Sequence, residues 1–511
     1  MSLLLIHPTG NRNVRAVLAA LSNSGQLSGF HSALALGRSA RWTSLLPGRF
    51  RGELERRRYD LPDAVVHARP WREIVRLVAK RLGWKRLVAH EHGWACVDRV
   101  YAALDRAVAA GLRADRTTRA VYAYEDGALR TFTRAKELGI ARVYDLPIAY
   151  WETGRRLMTE ESERLPAWAA TLGGGVKDSP AKLARKTREL ELADLVVTPS
   201  QFVADSLPEW ARASKRIVVS PFGSPPPLAA SNQRLVTSSE KLEASSQKLG
   251  ARLRVLFAGS MGQRKGLGDL FAAMRLLNRP DVELVVMGSL QAPMEFYRGE
   301  FADFTYEPGR PHAQVLELMR SCDVFCLPSI VEGRALVMQE AMSQGLPIII
   351  TPNTGGADLV CEAHEGGTTA AAEPHGGSEG RRDGATDVGT TASEPPASGL
   401  RSSGHPASGP LGFQSAEPPA SDNRPSAVQT FQSSGPLAIR PSGLPPYGRK
   451  ATGFLVPIRS PEAIAEAIAW CADHRAETVE MGRAARLKAA TYTWEAYGDT
   501  VVAAIRGLTS P

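Results

Sequence analysis

Leu253-Arg254-Val255-Leu256-Phe257-Ala258-Gly259-Ser260-Met261-Gly262-Gln263-Arg264-Lys265-Gly266 is an apolar run that stops at a glycine and enters a basic, glycine-rich turn. A run of this length that is apolar but for Arg254 reads as a buried strand, and Leu267 to Leu277 reads as the helix behind it. The same step recurs downstream. Val282 to Met287 predicts a strand, about Ala313 to Arg320 a helix, Val324 to Leu327 a strand, about Leu336 to Gln344 a helix, and Pro347 to Ile350 a strand. Strands that alternate with helices predict a parallel sheet with helices on both faces.

Upstream, Leu3 to His7 reads as a strand, about Asn13 to Leu21 as a helix, and Ala120 to Ala123, Ala141 to Asp145, Asp194 to Thr198 and Arg216 to Ser220 as further strands. The fold class is therefore α/β, with two doubly wound, Rossmann-like domains facing across a cleft. Residues 1–224 form the first domain, 225–250 a Ser-, Asn-, Gln- and Lys-rich linker, and 251–361 with 451–490 the second. Residues 362–450 interrupt that second domain. They are rich in Gly, Pro, Ser, Ala and Thr, with Pro-Ala-Ser phrases at Pro395, Pro406 and Pro418. Such a stretch cannot bury enough apolar surface to offset its ordering entropy, so a disordered insertion is expected there. The regular pattern resumes at Gly453 to Pro457 and an amphipathic helix to about Ala472, and residues 491–511 read as a helix that crosses back to the first domain.

Composition narrows the function classes. Of 511 residues 43% are hydrophobic and 23% charged, which is ordinary globular usage, and the net charge of +9 favours anionic partners. No aromatic-interleaved basic motif or finger spacing points to nucleic acid. The five cysteines (Cys96, Cys322, Cys326, Cys361, Cys471) have neither zinc spacing nor an even count, so a reducing cytoplasm is the expected location. No apolar stretch reaches membrane-spanning length. Between Arg49 and Arg86 basic residues crowd together. There Trp71, Ile74, Val75, Val78 and Leu82 share one helical face and Arg72, Arg76 and Lys80 another. An ordinary surface helix has this pattern, and so does a helix that lies on anionic lipid at the inner membrane face; both readings stay open.

Two constellations carry chemistry. Glu332-Gly333-Arg334-Ala335-Leu336-Val337-Met338-Gln339-Glu340 follows a strand, so two carboxylates flank one helix start whose first amides have no partner within the helix. Those amides and the helix dipole favour phosphate, while the carboxylates would accept sugar and ribose hydroxyls. Alternatively Glu332 caps the turn and Glu340 is solvated. The second is the Gly259 to Gly266 turn, where adjacent Arg264 and Lys265 would neutralise a leaving diphosphate, or else form a basic surface turn. Both lie where ligands lie in open α/β sheets, beyond the carboxyl ends of strands.

With these motifs in order, Val255 to Gly259 through Lys265-Gly266, Glu332 to Glu340-Ala341, Gly345-Leu346-Pro347-Ile348, Gly355-Gly356 and Gly453 to Pro457, the chain resembles the retaining glycosyltransferases of family 4, glycosyl transferases group 1, of the GT-B fold. The resemblance implies transfer of a sugar from a nucleotide diphospho-sugar to a hydroxyl acceptor on a polysaccharide, lipid-linked or other glycan. It implies retention, with no metal and no cofactor. Lys265 would bind the donor diphosphate with Arg264, Glu332 the sugar hydroxyls and Glu340 the ribose. Gly259, Ser260, Gly333, Ala335, Leu336 and Val337 would line the donor. Three departures stand out: Ser260 replaces a common arginine, Arg334-Ala335 replaces Phe-Gly on the sugar side, and residues 144–151 hold no histidine where many relatives have one. The last, with the long insertion, motivates the alternative of a non-catalytic sugar-nucleotide-binding or scaffold protein.

In the first domain Gly10, Asn11 and Asn13 form a polar turn after the first strand, for diphosphate or acceptor contact or simply to start a helix. Glu125, Asp126 and Asp145 lie at strand ends as acceptor-side candidates or caps. His90 and His92, flanking Glu91, have no companion ligands along the sequence and read as structural.

Overall fold

The computed structural model describes residues 2–39, 52, 54–113, 117–173, 177–225, 252–360 and 448–509, all within one compact unit. Most of the expected linker and insertion, and Cys361, lie outside the described residues; Arg449 and Lys450, read as insertion, instead form a strand.

The first sheet contains β1 (Ser2–Ile6), β2 (Leu27–Ser32), β3 (Val66–Ala68), β4 (Thr118–Tyr124), β5 (Ala141–Asp145), β6 (Leu195–Thr198) and β7 (Arg216–Val219). They pair in the order β3-β2-β1-β4-β5-β6-β7, every pair parallel. The second contains β8 (Leu253–Ala258), β9 (Val282–Met287), β10 (Thr305–Glu307), β11 (Val324–Leu327), β12 (Ile348–Ile350), β13 (Arg449–Lys450) and β14 (Gly453–Leu455). Its order is β10-β9-β8-β11-β12-β14-β13, with only the β13 pairing antiparallel. All residues of β6, β11 and β12 are buried, as strands covered by helices on both faces require. In each sheet the chain leaves the first strand one way and returns on its other side, which opens a crevice between β1 and β4 and another between β8 and β11.

Helix starts follow local chemistry. Ser179 caps the helix Pro180–Leu192 by accepting the Lys182 N–H at 3.2 Å, and Ser460 caps Pro461–Asp473 through Ala463 N–H at 3.3 Å. In both, proline occupies the first position, where its missing N–H costs nothing.

Three devices join the halves. Trp168, on a short 3-10 turn (Pro166–Thr171) of the first half, is buried in the core of the second against Phe271, Phe296 and Tyr297, a burial worth about 3 kcal/mol. Glu161, fully buried on the helix Trp151–Arg164, takes Gln263 Nε2 at 2.8 Å and Arg459 Nε at 2.7 Å from the second half. The helix Trp494–Thr509 returns to the first half and packs Tyr497, Val501, Val502 and Ile505 into its core.

Candidate active site

Because β8 and β11 are neighbours, the turns that follow them must meet. The Ile330 N–H donates to the Arg264 carbonyl at 3.0 Å, and the Glu332 N–H to Asn353 O at 3.1 Å, which fixes the post-β11 loop on the glycine turn. Arg264 Nη1 then lies 2.6 Å and Lys265 Nζ 2.7 Å from the same atom, Glu332 Oε1. Glu332 is buried, and the two cations are partly exposed. A carboxylate and two cations thus converge on one crevice wall, where charge-assisted bonds are short and strong.

The glycines of the turn serve packing as well as approach. A side chain on Gly262 would collide with Thr171 O, and one on Gly266, whose φ is 75°, with Pro328 O. Gly259 faces the stem of Lys265, and Ser260 is half-buried with its carbonyl accepting the Gly262 N–H at 2.8 Å. Gln263, unremarked in the sequence, is the fully buried organiser of the turn: Thr171 Oγ1 accepts its N–H, and Gly268 N–H donates to its Oε1.

The Glu332 to Glu340 stretch divides its roles. Gly333 is packed rather than open, since Ser200 Oγ donates to its carbonyl at 2.6 Å and a Cβ there would strike Pro147 O. Arg334 corrects the expectation of a charge on the sugar side. Its buried guanidinium turns inward to hold Asp358 with two bonds (2.7 and 3.0 Å), Gly355 O at 2.9 Å and Gln339 Oε1 at 3.0 Å. Burial works to raise the Asp358 pKa, but this fork outweighs it and holds the carboxyl below its usual range. Ala335 is buried, its N–H taken by Thr354 O. Leu336 and Val337 open the helix Leu336–Ser343, and among the described residues none accepts their amides. Glu340 Oε1 accepts from His312 Nε2 at 2.9 Å.

A cavity of about 230 Å³ extends from Arg264 and Val331 into the first half, where Ile148, Trp151, Arg155 and Met158 line it. No hydrogen bond or ion pair holds the Arg155 guanidinium among the described residues. Lys186 and Asp178 also line the cavity. A larger groove, about 470 Å³, follows the helices Arg12–Asn23 and Trp494–Thr509, and none of the candidate residues lines it.

The first-half candidates are placed differently. Gly10 abuts the Tyr59 ring, Asn11 is exposed, and Asn13 points into the core to hydrogen-bond Tyr497 instead of facing the cleft. Asp126 is paired with Arg185 at 2.9 Å and Lys186 at 3.4 Å, and Glu125 with Lys186 at 3.5 Å. Asp145 is buried beside Tyr122, and burial pushes its pKa up to about 7. His7, edge-on to Tyr124, is pulled down to about 4 by burial and is neutral. His90 does have companions: Asp178 Oδ1 at 3.1 Å and Glu91 Oε1 at 3.3 Å. Of these, Asp178 is also taken by Lys182 at 3.0 Å, and Glu91 accepts the Ser179 N–H and hydroxyl. The trio is an ion-pair knot. Cys322 and Cys326 are buried free thiols in the packing of β11.

Two Rossmann-like domains with a charged crevice at the ends of β8 and β11 define the GT-B fold. Residues 238–375, about a quarter of the chain, match the family model described as Glycosyl transferases group 1. A D-inositol 3-phosphate glycosyltransferase of Paenarthrobacter aurescens is 32% identical over 113 residues, 20% of this chain and 28% of that protein. The chain spans less than a third of the length of the curated relatives it matches. Among solved structures, sucrose-phosphate synthase of Thermosynechococcus elongatus superposes with a TM-score of 0.53 at 15% identity, covering 99% of both chains. Anabaena HepE in complex with UDP gives 0.50 at 12%, covering 99% of this chain and 100% of that one.

Proposed function

We propose that the chain is a glycosyltransferase that moves a sugar from a nucleotide diphospho-sugar to a hydroxyl acceptor, with retention and without a metal. The observation that carries the reading is the convergence of Lys265 and Arg264 on one oxygen of Glu332 at the β8–β11 crevice. A diphosphate entering there competes with Glu332 for both cations. Their charge then stabilises the leaving diphosphate, and the released carboxylate accepts hydroxyls of the sugar. The amides of Leu336 and Val337, at a helix start, add donors for phosphate. On the same face a diphosphate oxygen would take the acceptor proton as the bond to the departing phosphate breaks. Glu340, steadied by His312, is assigned to the ribose.

The cavity beyond Arg264 is assigned to the acceptor. Trp151 gives a sugar-sized apolar wall and Arg155 an uncompensated cation, a combination suited to an acceptor glycan with an anionic group. The similar P. aurescens protein, a D-inositol 3-phosphate glycosyltransferase named for a phosphate-bearing inositol, supports that class.

The test incubates the full chain with UDP-, GDP- and ADP-sugars and candidate acceptors, with and without EDTA, and measures nucleotide release. Release with one donor, undiminished by EDTA, is expected. Binding without release for every pair would leave the scaffold alternative standing, and loss in EDTA would overturn the metal-free mechanism.

A further inference from the structure

The helix Trp71–Arg81 is mounted inside out. Its protein-facing side carries Glu73, which is 2% exposed and pairs with Arg76 through bonds of 2.6 and 2.7 Å and with Arg57 at 3.4 Å. Its apolar side faces water: Trp71 is 76% exposed, Ile74 38%, Val78 42% and, just past the helix end, Leu82 55%. Trp84 at 53% and Trp94 at 49% extend the patch, with Arg72 stacked 4.3 Å over the Trp94 ring. Other helices are mounted the usual way. Leu129–Glu137, for example, buries Phe132 and Ala135.

Exposing such side chains forgoes about 1.5 to 3 kcal/mol each, and burying a charged pair adds a desolvation cost. Contiguous patches of this kind mark interaction sites. The rim identifies the partner. From Arg69 to Arg86 there are seven basic residues against one acid, Glu73, which is already paired, and Arg69, Lys80, Arg81, Lys85 and Arg86 are exposed. A second copy of the same patch would set these cations against each other across a two-fold axis. Nucleic acid would meet the cations but leave Ile74, Val78 and Leu82 without a complement. An anionic bilayer answers both, because acyl chains take the aliphatic stripe, tryptophans favour the interface, and headgroups meet the basic rim.

We propose that this face docks the protein on anionic membrane, with the helix Trp71–Arg81 lying in the plane of the headgroups. No helix among the described residues is long and apolar enough to cross a membrane, so the contact is interfacial. The docking is independent of the chemistry assigned above.

The test floats the full-length protein with vesicles of phosphatidylcholine alone and of phosphatidylcholine mixed with phosphatidylglycerol. The expected result is binding to the mixed vesicles, weakened by salt. The variant Ile74→Ser/Val78→Ser/Leu82→Ser should bind about a hundredfold more weakly, since three partly inserted side chains are lost. Its melting temperature and its nucleotide release should match the parent, because the stripe supports neither the core nor the crevice. The variant Lys80→Ala/Arg81→Ala/Lys85→Ala/Arg86→Ala should lose the preference for anionic over neutral vesicles. The proposal is overturned if the parent fails to float with anionic vesicles at low salt, or if the stripe variant floats as well as the parent. It is equally overturned if the stripe variant melts well below the parent, which would mean the face is buried, or if it only dissolves a dimer or abolishes nucleic-acid binding.

Discussion

At the β8–β11 crevice one carboxylate is shared by two cations, one of which, Arg264, lines a cavity, whereas at β1–β4 the charges are already balanced among themselves. Among the described residues Glu332 is paired with Arg264 and Lys265, while Asp126 and Glu125 are held by Arg185 and Lys186 from the helix Pro180–Leu192. A strand order shared through the first five strands therefore produces two similar crevices with different chemical availability. One holds a positive excess that an anion can claim; the other has spent its charge on fixing helices. Topology supplies the crevice, and the neighbours of each charge decide whether it remains free for a ligand.

The comparison breaks most visibly at Lys265. If its ammonium stabilises a leaving diphosphate, Lys265→Ala should lower kcat by about 10² to 10³, roughly 3 to 4 kcal/mol, as for removal of one preorganised donor. Partly exposed as it is, its loss should leave the melting temperature nearly unchanged. Nucleotide-release kinetics beside a thermal melt check this, and a variant with parental kcat would put the two crevices on the same footing.

How much of this could be read in advance depended on burial. Leu253–Ala258, Leu267–Leu277, Val282–Met287 and Val324–Leu327 have the bounds their apolar runs suggest, because elements buried on two sides are written as mostly hydrophobic text. Leu27–Ser32 was illegible: Gly29, His31 and two serines break the run, and the strand forms because Gly29 fits against Leu4 and His67. Lys265 and Glu332 could be placed near one another because each follows a strand end. What each neighbouring side chain does could not. Arg334 turns inward on account of Asp358 and Gln339, and His90 finds Asp178 after 88 residues of chain. The Trp71 helix shows the limit of periodicity, which gives two faces and not the direction in which they point.

A second test addresses the buried carboxyl of the first half. Asp145 has its pKa raised by burial to about 7, well above its unfolded value, so the folded state holds a proton the unfolded chain releases. Its contribution to stability is fully present below about pH 4 and is lost as pH rises towards 7. Asp145→Asn removes the slope. The variant should therefore gain on the parent between pH 5 and pH 8, by about 2 kcal/mol, read from denaturant unfolding at each pH. A constant difference across that range would show that Asp145 stays ionised in the fold and is paired like Glu332.

The smallest effect is expected where the sequence pointed to the acceptor. Asp126 has positive φ (69°) and lies within reach of Arg185, Lys186 and, at 3.9 Å, Lys182. An acceptor hydroxyl would have to displace charge-assisted bonds to reach it, which a neutral donor does poorly. Asp126→Asn keeps the shape and halves the attraction, so it should cost about 1 kcal/mol of stability through the loosened network and change kcat/KM for any working acceptor by less than about threefold. Arg155→Ala should act in the opposite sense, raising the KM for an anionic acceptor with little change in melting. A tenfold rise in acceptor KM for Asp126→Asn, with Arg155→Ala silent, would move the acceptor from the Trp151 cavity to the β4 end and make the first crevice a binding site after all.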